Sequence, residues 1–219
     1  ADAGCTATIT GTDEIAVCAR TVPGTRTVAW SCTGPNGNGV SGQATVVTTV
    51  IDDTNCPNVA IRHNVSFSRV RSGPDVTAEL EGTAQVDLVL DSANRTAQRT
   101  VALDVTRQVF HGEEIVRDQH LTGERVADLA ANAVGPEDDS RTVNGNVTVE
   151  FLLRGTQLDV GATDLFWQRS CCHPIGGRID WLLTGTDEGS GSLRFGPTCG
   201  RALRADDSEV ILPACPIFD

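Results

Sequence analysis

A chain of 219 residues with 39% hydrophobic and 21% charged residues can bury a sizeable core, which excludes a disordered protein. Its net charge of -12 argues against nucleic acid, because phosphate binding needs a basic stripe. No apolar run approaches the ~18 residues of a membrane-spanning helix, so no such segment is expected.

The N-terminal part offers candidate strands at 5–10, 14–19, 26–32 and 43–51, among which Cys5, Cys18, Cys32 and Cys56 are scattered. A boundary is expected near CPN at 56–58. It divides a small disulfide-stapled β unit, 1–57, from a long-stranded antiparallel β body, 58–219, with its own C-terminal cysteine cluster.

The body opens with a rough alternation over 59–70 and then a clear one. In 76–90 the even positions Ala78, Leu80, Ala84, Val86, Leu88 and Leu90 are apolar, while Thr77, Glu79, Glu81, Gln85 and Asp87 lie between them. A period of two predicts a strand with one dry and one wet face, and a helix would mix the two sets. The same pattern runs over 99–110 (Val101, Leu103, Val105, Val109) and 142–153 (Val143, Val147, Val149, Phe151), with rougher versions at 114–128 and 157–167. Short strands at 177–184, 191–196 and 208–213 complete the chain.

Turn chemistry separates these runs: SGPD at 72–75, DSAN at 91–94, HGEE at 111–114, GPEDDS at 135–140 and RGTQ at 154–157. AANAVG at 130–135 reads as a helical turn. Short reversals between neighbouring strands imply hairpins. The expected fold is therefore all-β, an antiparallel meander of long strands forming an elongated sandwich or a strongly curled sheet, stapled by disulfides. A transmembrane barrel also alternates, but it needs aromatic girdles, and aromatic residues are 4% here.

The eight cysteines fall four and four, with Cys171, Cys172, Cys199 and Cys215 in the second group. Two local disulfide frameworks imply an oxidising compartment: secreted, extracellular, cell-surface or periplasmic. The motif SCCHPIGG (170–177) sets two thiols beside an imidazole, as a metal site or nucleophile would. Adjacent residues of an extended chain point to opposite faces, so Cys171 and Cys172 are expected to reach separate partners, Cys199 and Cys215. His173 then belongs to a turn.

His63 shares the apolar parity of its strand, His111 sits at a hairpin tip, and His120 is mid-strand beside Asp118. Whether any histidine, His173 included, holds a metal is left open by spacing. The acidic turns 51–55, 135–140, 185–191 and 205–209 offer oxygen ligands for weak Ca²⁺ binding, without an EF-hand register. Carboxylate pairs such as Glu79/Glu81, Asp138/Asp139 and Asp206/Asp207 read as solvated surface, and no serine sits in a nucleophile elbow. Sequons occur at Asn64, Asn94 and Asn146.

With no assembled catalytic set, the expectation is a non-enzymatic structural protein that joins other chains, itself included, through strand edges. The alternative is a binding protein that holds a lipid or other hydrophobic ligand on the dry face, lined by Leu80, Val86, Leu88, Leu103, Val105, Val149 and Phe151. Absence of Met, even at position 1, adds the expectation of a processed chain without its leader.

Overall fold

The structure is a computed structural model that describes residues 4–11, 13–18, 20–34, 38–56, 58–91, 95–130, 140–168 and 170–214. The N-terminal strands are β1 (Gly4–Thr10), β2 (Glu14–Val17), β3 (Arg20–Pro23), β4 (Thr25–Thr33) and β5 (Gly39–Asp52). The long central ones are β6 (Val59–Ser72), β7 (Val76–Leu90), β8 (Thr96–His111), β9 (Glu114–Ala130), β10 (Ser140–Phe151) and β11 (Thr156–Gln168). The chain closes with β12 (Gly176–Gly185), β13 (Gly189–Phe195), β14 (Arg201–Arg204) and β15 (Glu209–Ile211).

Thirteen strands form one antiparallel sheet in the order β1-β4-β5-β6-β7-β8-β9-β10-β11-β12-β13-β14-β15, and β2 with β3 makes a separate hairpin. From β4 onward every strand pairs with its successor, so the meander expected from the short turns is real. The order is linear and β1 never meets β15, so the sheet is not closed. Pairing of β5 with β6 carries the sheet without a break across residue 57.

Alternation set the strand limits closely. The strand expected over 76–90 is β7, residue for residue. The one expected over 142–153 stops at Phe151, and Leu152 and Leu153 lie exposed in the following turn. Strands β3 and β14 were not expected, being four residues each and too short to alternate legibly. Of the helical turn expected at 130–135, Ala130 instead ends β9 and the rest lies outside the described residues, as do most of the turns at 91–94 and 135–140.

Register fixes which side chains share a face. Ile61, Leu88 and Arg99 stand opposite one another, as do Phe67, Gly82 and Val105. The dry parity of each strand thus meets the dry parity of the next. Every buried residue of the main sheet lies on this side: Thr48, Val59, Ile61, Val101, Ala127, Thr156, Leu165 and Ala202. At Gly82 and Gly123 a Cβ would run into the backbone of the adjacent strand, at Asp104 and Asn146 respectively. Only glycine permits that approach.

The hydrophobic core cluster is small and lies toward one end. Val17 of the hairpin packs with Val59 and Ile61, supported by Ile15, Val22, Val50, Leu88 and Leu90. Elsewhere most apolar side chains of the dry face are half-buried, with Val101, Ala127, Leu165 and Ala202 buried singly. The accessible surface is 13569 Å² for 23.1 kDa. A compact monomer of that mass exposes about 9,700 Å². The excess is what an open single sheet exposes and a rounder fold would cover.

Candidate functional site

The seven residues expected to line a ligand face do share one side of the sheet: Leu80, Val86 and Leu88 on β7, Leu103 and Val105 on β8, Val149 and Phe151 on β10. All are half-buried. The same side also carries charge. Arg26, Arg69, Arg71, Arg99, Arg107, Arg117, Arg125 and Arg141 all fall on the dry parity. Sequence reading missed them, though the signal was present. Arg69 and Arg71 continue the odd-numbered series Val65, Phe67, and Arg107 continues Val101, Leu103, Val105.

None of these arginines takes part in an ion pair among the described residues. Arg141 lies over the ring of Trp167, 5.0 Å from its centroid, and the Nε of Arg99 is buried without a hydrogen-bond partner. The carboxylates keep to the other face. Glu79, Glu81, Asp87, Asp104, Glu124 and Glu150 all have wet parity. Glu114, at the hairpin end of β9 beyond a bulge, is the exception. The sheet is therefore polarised, with apolar groups and arginines on one side and acids on the other.

Ion pairs cluster on the wet face. Arg62 donates to Asp87 through Nε and Nη2, both at 2.7 Å, and this guanidinium holds the Asp87 carboxyl below its ordinary pKa. His120 sits between two acids, Nε2 2.7 Å from Asp104 Oδ1 and Nδ1 3.2 Å from Glu150 Oε2. Hydrogen bonds to Asp104 first and Glu150 second raise the imidazole pKa above its usual value. Both ring nitrogens are engaged by carboxylates, so this arrangement favours an imidazolium. An open depression of about 500 Å³ on the same side is lined by Gln43, Thr45, Ser66, Glu81 and Asp104.

His63 behaves oppositely. It lies on the dry face with Nδ1 2.9 Å from the Thr48 hydroxyl, and burial lowers its pKa. His111 is exposed at the β8–β9 hairpin end. His173 reaches the Pro213 carbonyl with Nε2 at 2.8 Å, so its ring fastens the segment after β15. No group of three or more His, Cys, Asp or Glu suited to a metal occurs among the described residues.

Three disulfides join cysteines within the expected groups: Cys5–Cys32, Cys18–Cys56 and Cys171–Cys199. Cys172 is disulfide-bonded too, while Cys215 lies outside the described residues. SCCHPIGG is thus a stapled turn leading into β12. Of the acidic turns, Asp52 accepts from Thr54 and Asp206 from Ser208, so these carboxylates close their own turns. Asp138 and Asp139 lie outside the described residues, as does Asn94, while Asn64 and Asn146 are exposed on the wet face.

Comparison with known proteins returns no relative: no family model matches the chain, and neither does a curated protein or a solved structure.

Proposed function

We propose that this is a non-enzymatic structural protein of the cell exterior, which joins a second copy of itself through the free edge of β1. The observation that carries this reading is the contrast between the two ends of the sheet. Strand β15 is three residues long, begins with Glu209 and is soon followed by Pro213, the short charged edge that resists pairing. Strand β1, GCTATIT, is exposed at all seven positions and contains neither charge nor proline.

The disulfide tells which backbone groups are free. Cys5 and Cys32 are direct cross-strand partners with Cα atoms 4.1 Å apart, the spacing of a non-hydrogen-bonded pair. Thr6, Thr8 and Thr10 therefore turn their N–H and C=O groups to β4. Cys5, Ala7 and Ile9 turn theirs outward. An incoming antiparallel strand would find a row of donors and acceptors centred on Ala7. The disulfides of both cysteine groups fit an oxidising, extracellular setting.

Ala7→Pro removes an outward N–H and leaves the ladder to β4 intact. Analytical ultracentrifugation should show dimers or larger species for the natural chain and monomers for the variant. A natural chain that stays monomeric over a wide concentration range overturns the reading.

A further inference from the structure

We propose that the dry face binds an anionic amphiphile, its acyl chain lying along an apolar band and its acid group held by the arginines beside that band. This surface is separate from the β1 edge and does not depend on how copies pair. The band follows the register. One row runs from Ala44 on β5 through Phe67, Val105, Leu121 and Val149 to Leu183 on β12. A second row, two residues further along each strand, runs from Val46 through Leu103 and Val160 to Trp181. Across eight strands at ~4.8 Å spacing the band is about 34 Å long. Its side chains are half-buried, not sealed.

Arginines border the band on both flanks. On one, Arg69, Leu80 and Arg107 stand opposite each other across β6 to β8, and Arg71 and Arg117 occupy the next row outward. On the other flank lie Arg125 and, one row beyond, Arg99, whose buried Nε lacks any acceptor. Arg69, Arg71, Arg107 and Arg117 are all exposed, and their long stems can bend over Leu80 and Ala78. A guanidinium beside apolar surface, with no ion pair among the described residues, is matched by a carboxylate or phosphate.

Charge decides between occupants. A second copy laid face to face would bring arginine flanks toward arginine flanks. A second copy offering its wet face would match charge, but it would lay acids and threonines on the apolar band at a desolvation cost. An acid with an acyl chain satisfies both parts of the face at once.

The test uses the oxidised chain with palmitate and with hexadecanol, its uncharged counterpart of equal length. Native mass spectrometry should show palmitate bound to the chain, and titration should show hexadecanol about tenfold weaker. The double variant Arg69→Gln/Arg107→Gln should weaken palmitate by about tenfold, the scale of two exposed charge contacts, and added salt should act in the same direction. Arg178→Gln, on the wet face, should leave affinity unchanged, and Arg117→Gln alone gives a smaller loss if the double variant folds poorly. Equal binding of palmitate and hexadecanol overturns the proposal. So does unchanged affinity in both flank variants, binding of phosphatidylglycerol vesicles without free palmitate, or no palmitate binding by the Ala7→Pro chain, whose dry face is unaltered.

Discussion

The dry face is one continuous surface, yet its two parts are built differently. At the β5–β7 end the β2–β3 hairpin lies against it, and Val17, Val59 and Ile61 are 2–4% exposed. Toward the middle, Leu103, Leu121 and Val149 have the same parity and similar neighbours but remain half-exposed. Alternation makes a face apolar without saying whether anything covers it. At Val59 and Ile61 the cover comes from a separate element, a hairpin that leaves the meander between β1 and β4, whereas Val101, Ala127 and Leu165 are buried outside that cluster.

Removing the staple on the hairpin should have the largest effect. Cys18–Cys56 closes a 38-residue separation, and Cys18→Ser with Cys56→Ser should cost about 4 kcal/mol by loop entropy. Urea unfolding measures it, and a loss below ~1 kcal/mol would mean that apolar contact alone seats the hairpin. Next, Ile61→Ala should cost about 3 kcal/mol, whereas Leu103→Ala in the open part should cost about 1 kcal/mol. Equal losses would erase the distinction between the two parts.

The smallest effect is a pH difference between two histidines. The folded pKa of His63 is lowered by burial, so between that value and ~6.5 stability rises with pH as the unfolded chain gives up its extra proton. The folded pKa of His120 is raised by Asp104 and Glu150, so its contribution is complete below ~6.5 and fades as pH climbs through the folded value. Proton NMR of the two imidazoles should find His120 titrating above His63. The reverse order would contradict the assignment of one ring to each face.

Much of this was legible in the sequence because the strands are long. Residues 76–90 supply fifteen consecutive positions for a period of two to show itself, and β7 has those limits. The cysteine grouping was legible for a similar reason, since 114 intervening residues leave little doubt about who neighbours whom. Pairing order was legible through the central meander, where short turns imply hairpins, but not in the N-terminal part. Parity names a strand's face but not its partner, so the hairpin β2–β3, with β1 reaching past it to β4, has no signature in the residues. The arginine side of the sheet was missed because the alternation was followed through its apolar members alone. Only the register places Arg69 and Arg107 on either side of Leu80.

The linear strand order also governs how the molecule assembles itself. From β4 to β15 each ladder closes between sequence neighbours, so few long loops have to be closed before native pairing starts. Each strand supports chiefly the two beside it, which makes stability close to a sum of nearest-neighbour contributions. Loss at the β15 end should therefore fray the sheet strand by strand, with the hairpin-covered corner holding longest. A hairpin gained or lost at that end changes the width of the sheet and leaves the pairing of every other strand as it was.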